Sequence, residues 1–188
     1  MSEILIAPLA HNPLRDWPAA HYASLIGLLL DRIQQDVRIT VVGTANQRHI
    51  LNEIVRSFPA DRVFNAGGSA WDEVVGRIRS AACVIGNNSG IAHLGGLFGV
   101  PTICIFGGSH QRTEWAPLRP NVTVLSREIG CSPCQFHDPR DCHYGIACLG
   151  EILPQSVADA TLEAIRLAAI AQDVMRAPPP KRRARKAA

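Results

Sequence analysis

The stretch Cys83-Val84-Ile85-Gly86-Asn87-Asn88-Ser89-Gly90-Ile91-Ala92-His93 reads as a buried strand, a sharp polar turn and the first turn of a helix. Ser89 stands where it can cap that helix, and Gly90 leaves the first amide uncovered. His93 follows Ser89 by four residues, which places it on the same helix face one turn further in. Unpaired backbone N–H groups, the positive end of the helix dipole and an imidazole then converge on one point, a place for a phosphate or diphosphate. The plainer alternative is an ordinary strand–helix turn with a capping serine, and the turn by itself does not separate the two.

Working outward, short apolar runs alternate with helical patterns. Ile4–Pro8, Arg38–Val42, Val63-Phe64, Cys83–Gly86, Thr102–Phe106 and Val122–Leu125 read as strands. Pro18 opens a first helix in which Tyr22, Leu25, Ile26, Leu29 and Ile33 recur at helical spacing. Ile50, Leu51, Ile54 and Val55 mark a second helix, Ser69 with Glu73 opens a third that runs through Ile78, and a last one runs from about Gln155 to Met175. Strands without polar alternation, separated by helices, predict an α/β fold: a Rossmann-like parallel sheet with helices on both faces. Ligands of such sheets sit beyond the carboxyl ends of the strands. The turns His11–Trp17, Gly43–Gln47, Asn87–His93 and Gly107-Gly108-Ser109 fall at that edge. The chain has no G-x-G-x-x-G after its first strand and no G-x-x-x-x-G-K-[ST], which argues against a conventional NAD fold and a P-loop NTPase.

The 188 residues suffice for one well-cored domain, expected over 1–176, and 47% hydrophobic with 19% charged residues is ordinary for a globular protein. No apolar run approaches a membrane span, and residues 1–10 lack the features of a secretory signal, so a cytoplasmic protein is expected. The net charge of +3 comes from Lys181, Arg182, Arg183, Arg185 and Lys186, which follow three prolines. Residues 177–188 are read as a disordered basic tail, either simply solvated or in peripheral contact with an anionic inner-membrane surface. The body shows no basic stripe or aromatic platform, so a nucleic-acid partner is not expected.

Cys83 and Cys104 fall in core strands and read as small buried hydrophobes. Cys131, Cys134, Cys142 and Cys148 crowd a loop over 131–148. Three arrangements stay open for them: a structural tetrahedral site for zinc or iron, with His137 and His143 as substitute ligands; reduced packing; or disulfides. His11, His21, His49 and His110 have no partner pattern and read as surface or core-edge residues. Trp17 and Trp115 are expected to pack turns on the sheet, Asp16 to cap the first helix, and Gly95, Gly96 and Gly99 to allow close helix–strand approach.

In this order the turns resemble the C-terminal half of a family 9 glycosyltransferase, the heptosyltransferase group of lipopolysaccharide inner-core synthesis. The resemblance rests on Arg15-Asp16-Trp17-Pro18, Val41-Val42-Gly43-Thr44-Ala45-Asn46-Gln47, Asn88-Ser89-Gly90-x-x-His93, Gly99-Val100-Pro101-Thr102 with Phe106-Gly107 and Trp115-Ala116-Pro117, and the Cys131-x-x-Cys134 set. It implies one Rossmann-like half of a two-domain GT-B enzyme that binds a nucleotide-sugar donor, typically ADP-heptose, with no cofactor for catalysis. By the same resemblance Ser89, Gly90 and His93 hold the donor diphosphate, Arg15 replaces a family lysine beside it, Gly43, Thr44 and Gln47 line the nucleoside, and Asn88 stands where aspartate is common. The acceptor site and general base belong to the family's N-terminal half, so this chain alone is expected to bind donor without transferring it, and a separate N-terminal half is an expected partner. Two alternatives stand beside this: a non-catalytic nucleotide-sugar-binding or interaction module, and the donor domain of a GT-B enzyme with another acceptor.

Overall fold

Strand β1 (Ser2–Ala7) sends Ile4 and Ile6 to one side of a sheet and Leu5 and Ala7 to the other, and all four are buried. Side chains alternate along a strand, so a strand apolar at every position needs cover on both faces. The computed structural model, which describes residues 2–33 and 36–176, supplies that cover. Strands β2 (Val37–Val41), β3 (Val63–Asn65), β4 (Cys83–Asn87), β5 (Thr102–Phe106) and β6 (Val122–Ser126) complete a sheet in the order β3-β2-β1-β4-β5-β6, with every pairing parallel. The strand order reverses between β1 and β4, as in a doubly wound Rossmann-like sheet.

Helices α1 (Ala19–Arg32), α2 (Arg48–Val55) and the long α7 (Pro154–Arg176) cover one face. Leu25, Ile26 and Leu29 of α1, Leu51 of α2 and Val157 of α7 meet Ile4, Ile6, Ile39 and Ile85 there. On the opposite face, α3 (Trp71–Ser80) and α4 (Gly90–Leu97) bring Val74, Ile78, Ile91 and Leu94 against Leu5, Ala7 and Val84. Each fully buried leucine or isoleucine contributes roughly 1.5–3 kcal/mol. Two short helices, α5 (Arg112–Trp115) and α6 (Ala147–Gly150), carry only four residues each and offer no periodicity to read in advance. None of the described helices is long and apolar enough to cross a membrane. The basic tail expected at 177–188 lies outside the described residues.

Helix α3 begins at Trp71, two residues later than Ser69 suggested. The Ser69 N–H instead donates to the Ala66 carbonyl at 3.2 Å and closes a turn in which Gly68 takes φ +85°. Gly95 serves close helix–strand approach: a Cβ there would lie 2.5 Å from Thr102 Oγ1 and 3.2 Å from Val84 Cβ. Gly96 does likewise, with Val122 Cγ2 2.8 Å away. Gly99 departs from this expectation, since nothing lies within 4 Å of its Cβ position. Its backbone takes φ +75°, the left-handed conformation that glycine adopts freely after a helix.

Gly95→Ala therefore forces β5 and α4 apart. We expect a loss of about 1–3 kcal/mol in urea unfolding, while Gly76→Ala, whose Cβ meets nothing within 4 Å, costs no stability.

Candidate functional site

Where the strand order reverses, the chain leaves β1 and β4 in opposite directions and opens a crevice at their carboxyl ends. A cavity of about 420 Å³ occupies it. Ala10, His11 and Arg15 reach it from β1, and Gly43, Thr44 and Gln47 from β2. Ser69, Trp71 and Val74 come from the connection after β3, and Ser89, Gly90 and Ile91 from β4. Six residues expected at a donor site, Arg15, Gly43, Thr44, Gln47, Ser89 and Gly90, thus line one space. Asn88 and His93 do not.

The β1 side of this cavity is held in place by Asn87, a fully buried side chain whose hydrogen-bonding capacity is used across the sheet edge. Its Oδ1 accepts from the Trp17 N–H at 3.2 Å and from the Tyr22 hydroxyl at 2.8 Å. Its amide nitrogen donates to the Pro8 carbonyl at 2.6 Å and to Asp16 Oδ1 at 3.3 Å. Asp16 also accepts from the Ala10 N–H, so it braces the turn instead of capping α1, whose first flanking residue is Pro18. Burial pushes the Asp16 carboxyl above its ordinary range, against the opposing pull of the Ala10 hydrogen bond and the Arg15 charge. Trp17 is buried as expected, its indole N–H donating to the Ile152 carbonyl at 2.9 Å. Between these anchors a short 3-10 turn, Pro13–Arg15, points Arg15 at the cavity.

Ser89 precedes α4 in extended conformation, with φ −147°, but its hydroxyl makes no capping bond. The Ser89 Oγ and the Arg15 Nε are both buried and both lack a hydrogen-bond partner. A buried polar atom left unpaired costs about 1–3 kcal/mol, and here the two residues that carry such atoms line one cavity at the amino end of a helix whose first N–H groups have no helical partner. A Cβ at Gly90 would meet nothing within 4 Å, which leaves this end of the cavity open. His93 is exposed, and its Nε2–H donates to the Asn88 Oδ1 at 3.2 Å. The i,i+4 rule aligns residues within a helix; Ser89 is the extended residue before it, so the rule does not bring His93 to the Ser89 hydroxyl. The Gln47 Oε1 accepts from the Thr44 N–H at 2.9 Å and closes the β2 turn.

Three lining residues escaped the sequence reading: His11, Ser69 and Trp71. A signal for the last two was present in Asn65-Ala66-Gly67-Gly68-Ser69, a glycine-rich turn after a strand. In a parallel sheet every strand delivers its following turn to the same edge. The turn after β5 does not join this cavity. Gly107 and Gly108 border a second space of about 230 Å³ with Ser132 and Pro133, where the Cys134 N–H donates to the Gly108 carbonyl at 3.0 Å. His110 bonds Ser109 at 2.9 Å and stacks edge-on against Trp115, half of whose surface is exposed. Burial holds the His110 imidazole below its ordinary pKa, helped by Arg15 and His137.

All six cysteines are free thiols. Cys83 and Cys104 are buried in β4 and β5, and burial pushes both up to about 12. In the loop, the Cys142 sulfur accepts from the Ile146 N–H at 3.2 Å. Cys148 is buried and its thiol is pushed up by that burial, with Gly108 opposing and the other three loop thiols adding to it. The four therefore share a neighbourhood, yet among the described residues no group of three or more His, Cys, Asp or Glu side chains is placed to hold a metal ion. The zinc or iron ligand set expected from the spacing of Cys131, Cys134, Cys142 and Cys148 is not assembled. Sequence spacing bounds how far apart such thiols can lie, while their convergence is set by how the loop packs on Gly108.

The model of glycosyltransferase family 9 (heptosyltransferase) matches residues 2–143 of the chain. Lipooligosaccharide heptosyltransferase 2 of Haemophilus influenzae is 30% identical over 119 residues, 61% of this chain and 33% of that protein. Lipopolysaccharide heptosyltransferase 2 of Escherichia coli K12 is 26% identical over 152 residues, 79% of this chain and 42% of that protein. The chain thus spans less than half the length of these curated relatives. The solved structure of the E. coli ADP-heptose lipopolysaccharide heptosyltransferase II superposes with a TM-score of 0.74 at 22% identity, over 89% of this chain and 47% of that one, a likeness of fold.

Two outcomes are expected from this geometry. Asn87→Ala strands the Trp17 N–H, the Tyr22 hydroxyl and the Pro8 carbonyl, and should lower stability by about 2–4 kcal/mol in urea unfolding. In a thiol titration of the native protein at pH 8, Cys131, Cys134 and Cys142 react while Cys83 and Cys104 react only on unfolding. Loop thiols that stay silent until a chelator is added would restore the metal reading.

Proposed function

This chain belongs to glycosyltransferase family 9, the heptosyltransferases, and from that premise we propose that it is the donor-binding, C-terminal GT-B half of a heptosyltransferase-type enzyme. The donor in this proposal is a nucleotide sugar, ADP-heptose, and the acceptor is a lipopolysaccharide-core or related glycan. One observation carries the reading. Arg15 and Ser89, each carrying a buried polar atom without a partner, line a single cavity at the amino end of α4. An anion there gives both atoms the hydrogen bonds they lack and meets the positive end of the helix dipole.

In such a transfer an acceptor hydroxyl attacks the anomeric carbon, the bond from that carbon to the diphosphate oxygen breaks, and a base takes the hydroxyl proton. Charge grows on the departing diphosphate. Donors already fixed in the protein frame stabilise it without reorganising. Arg15 supplies a permanent positive charge and a fork suited to paired phosphate oxygens. Ser89 supplies a hydroxyl donor, and the first amides of α4 supply the rest. Asn87 keeps Arg15 aimed by holding its turn against β4. The proposal assigns the general base and acceptor site to the part of the relatives' length that this chain does not span.

A second reading, a nucleotide-sugar-binding module without transfer, draws on Asn88, which is buried, carries no charge and is bonded to His93. Mixing the chain with a separately expressed N-terminal half and measuring nucleotide release separates the two: release in the mixture alone supports transfer.

Calorimetry with ADP tests the donor site directly. Arg15→Ala and Ser89→Ala should each weaken ADP by roughly tenfold or more, the worth of a charge-assisted hydrogen bond. His93→Ala, which lies outside the cavity, should change it less than threefold. Absence of ADP binding at millimolar concentration overturns the proposal.

A further inference from the structure

Trp71 is the first residue of α3, and 62% of its surface is exposed. The other two tryptophans have protein partners: Trp17 is buried against Tyr22, and Trp115 lies against His110. Trp71 has no aromatic or cationic partner among the described residues, and it lines the cavity that holds Arg15 and Ser89. Leaving a large indole at a cavity wall forfeits the gain of burying it, so its position points to a ligand that covers it.

The make-up of the cavity wall says which part of a ligand that is. Arg15 and Ser89 rise from β1 and β4, at the reversal of the sheet, and Trp71 follows β3, the outermost strand on that side. After β3 the chain folds back, the Gly68 N–H donating to the Gly43 carbonyl at 2.9 Å, and α3 then packs its Val74 and Ile78 over Leu5 and Val84 of β1 and β4. The cavity thus has two kinds of wall: Arg15 and Ser89 on the one hand, and on the other an apolar set of Trp71, Val74 and Val42 that carries no charged side chain. A nucleoside diphosphate carries the matching pair of parts, an anionic diphosphate and a flat neutral base.

We infer that Trp71 is the stacking platform for the nucleobase of the donor, an inference that rests on the donor-site reading above. Stacking on an indole requires only a π face. The platform therefore selects an aromatic nucleoside over a simple sugar phosphate without reading the hydrogen-bonding edge of the base. Because it grips the part of the donor that does not react, it contributes to affinity and leaves the diphosphate contacts to Arg15 and Ser89.

The test is calorimetry with ADP and with inorganic pyrophosphate on the wild type, Trp71→Ala, Trp71→Phe and Arg15→Ala, with thermal unfolding recorded for each. Trp71→Ala should weaken ADP about 10- to 100-fold and leave pyrophosphate unchanged within twofold. Trp71→Phe should retain most of the ADP affinity, and both Trp71 variants should melt near the wild type because the indole is exposed. ADP should also quench tryptophan fluorescence, and Trp71→Phe should abolish the quench. An unchanged ADP affinity in Trp71→Ala, or an equal loss for ADP and pyrophosphate, overturns the platform while a loss in Arg15→Ala leaves the donor site standing. If neither ligand responds to Arg15→Ala, the donor site itself fails, and the platform with it.

Discussion

The Asn87 side chain is the constraint on which the rest of the site depends. It ends β4, sits with no exposure, and ties together backbone and side-chain groups that the sequence separates by about seventy residues. A carboxamide is suited to this position because it offers both an acceptor and donors, so it can take the Trp17 N–H and the Tyr22 hydroxyl on one side and reach Pro8 and Asp16 on the other. An aliphatic residue of the same size would leave those groups unsatisfied in a dry interior, and an aspartate could not donate to the Pro8 carbonyl. The turn that carries Arg15 is thereby fixed against the turn that carries Ser89.

From that junction the logic of the sheet follows. Parallel strands covered on both faces place every following turn at one edge, and the reversal of order between β1 and β4 leaves a gap there that no helix fills. The apolar alternation of β1 secures the two helical layers, and Gly95 and Gly96 let α4 lie close enough to β5 and β6 for its amino end to point at the gap. Two unpaired buried polar atoms in the residues at that gap are a cost that the fold carries.

Much of this was legible in the residues. The six strands appeared as short apolar runs, and Thr102–Phe106 was bounded to the residue by the proline before it and the glycine after it. Ser89 and Gly90 were readable from the chemistry of their turn and Arg15 through the family resemblance, and all three line the cavity. His93, expected beside Ser89, is not among the lining residues and bonds Asn88. Trp71 was overlooked because its turn was read as the start of a helix, although the β3 turn had to arrive at the same edge as the others. The loop cysteines suggested a ligand set by number and spacing, but among the described residues three or more of them do not come together around one point.

By itself the sequence determined the class of fold, the family and the kind of ligand expected at the turn before α4, because periodicity, glycine placement and turn chemistry act over a few residues and are written locally. Only the tertiary structure decided that Asn87, adjacent to the recognised motif, is the brace of the site, that Asn88 and His93 satisfy each other beside it, and that Trp71 lines the same cavity as Arg15 and Ser89. Those outcomes depend on which buried groups find partners across strands remote in sequence, and a hydrogen bond between residues 17 and 87 leaves no mark on the spacing of either.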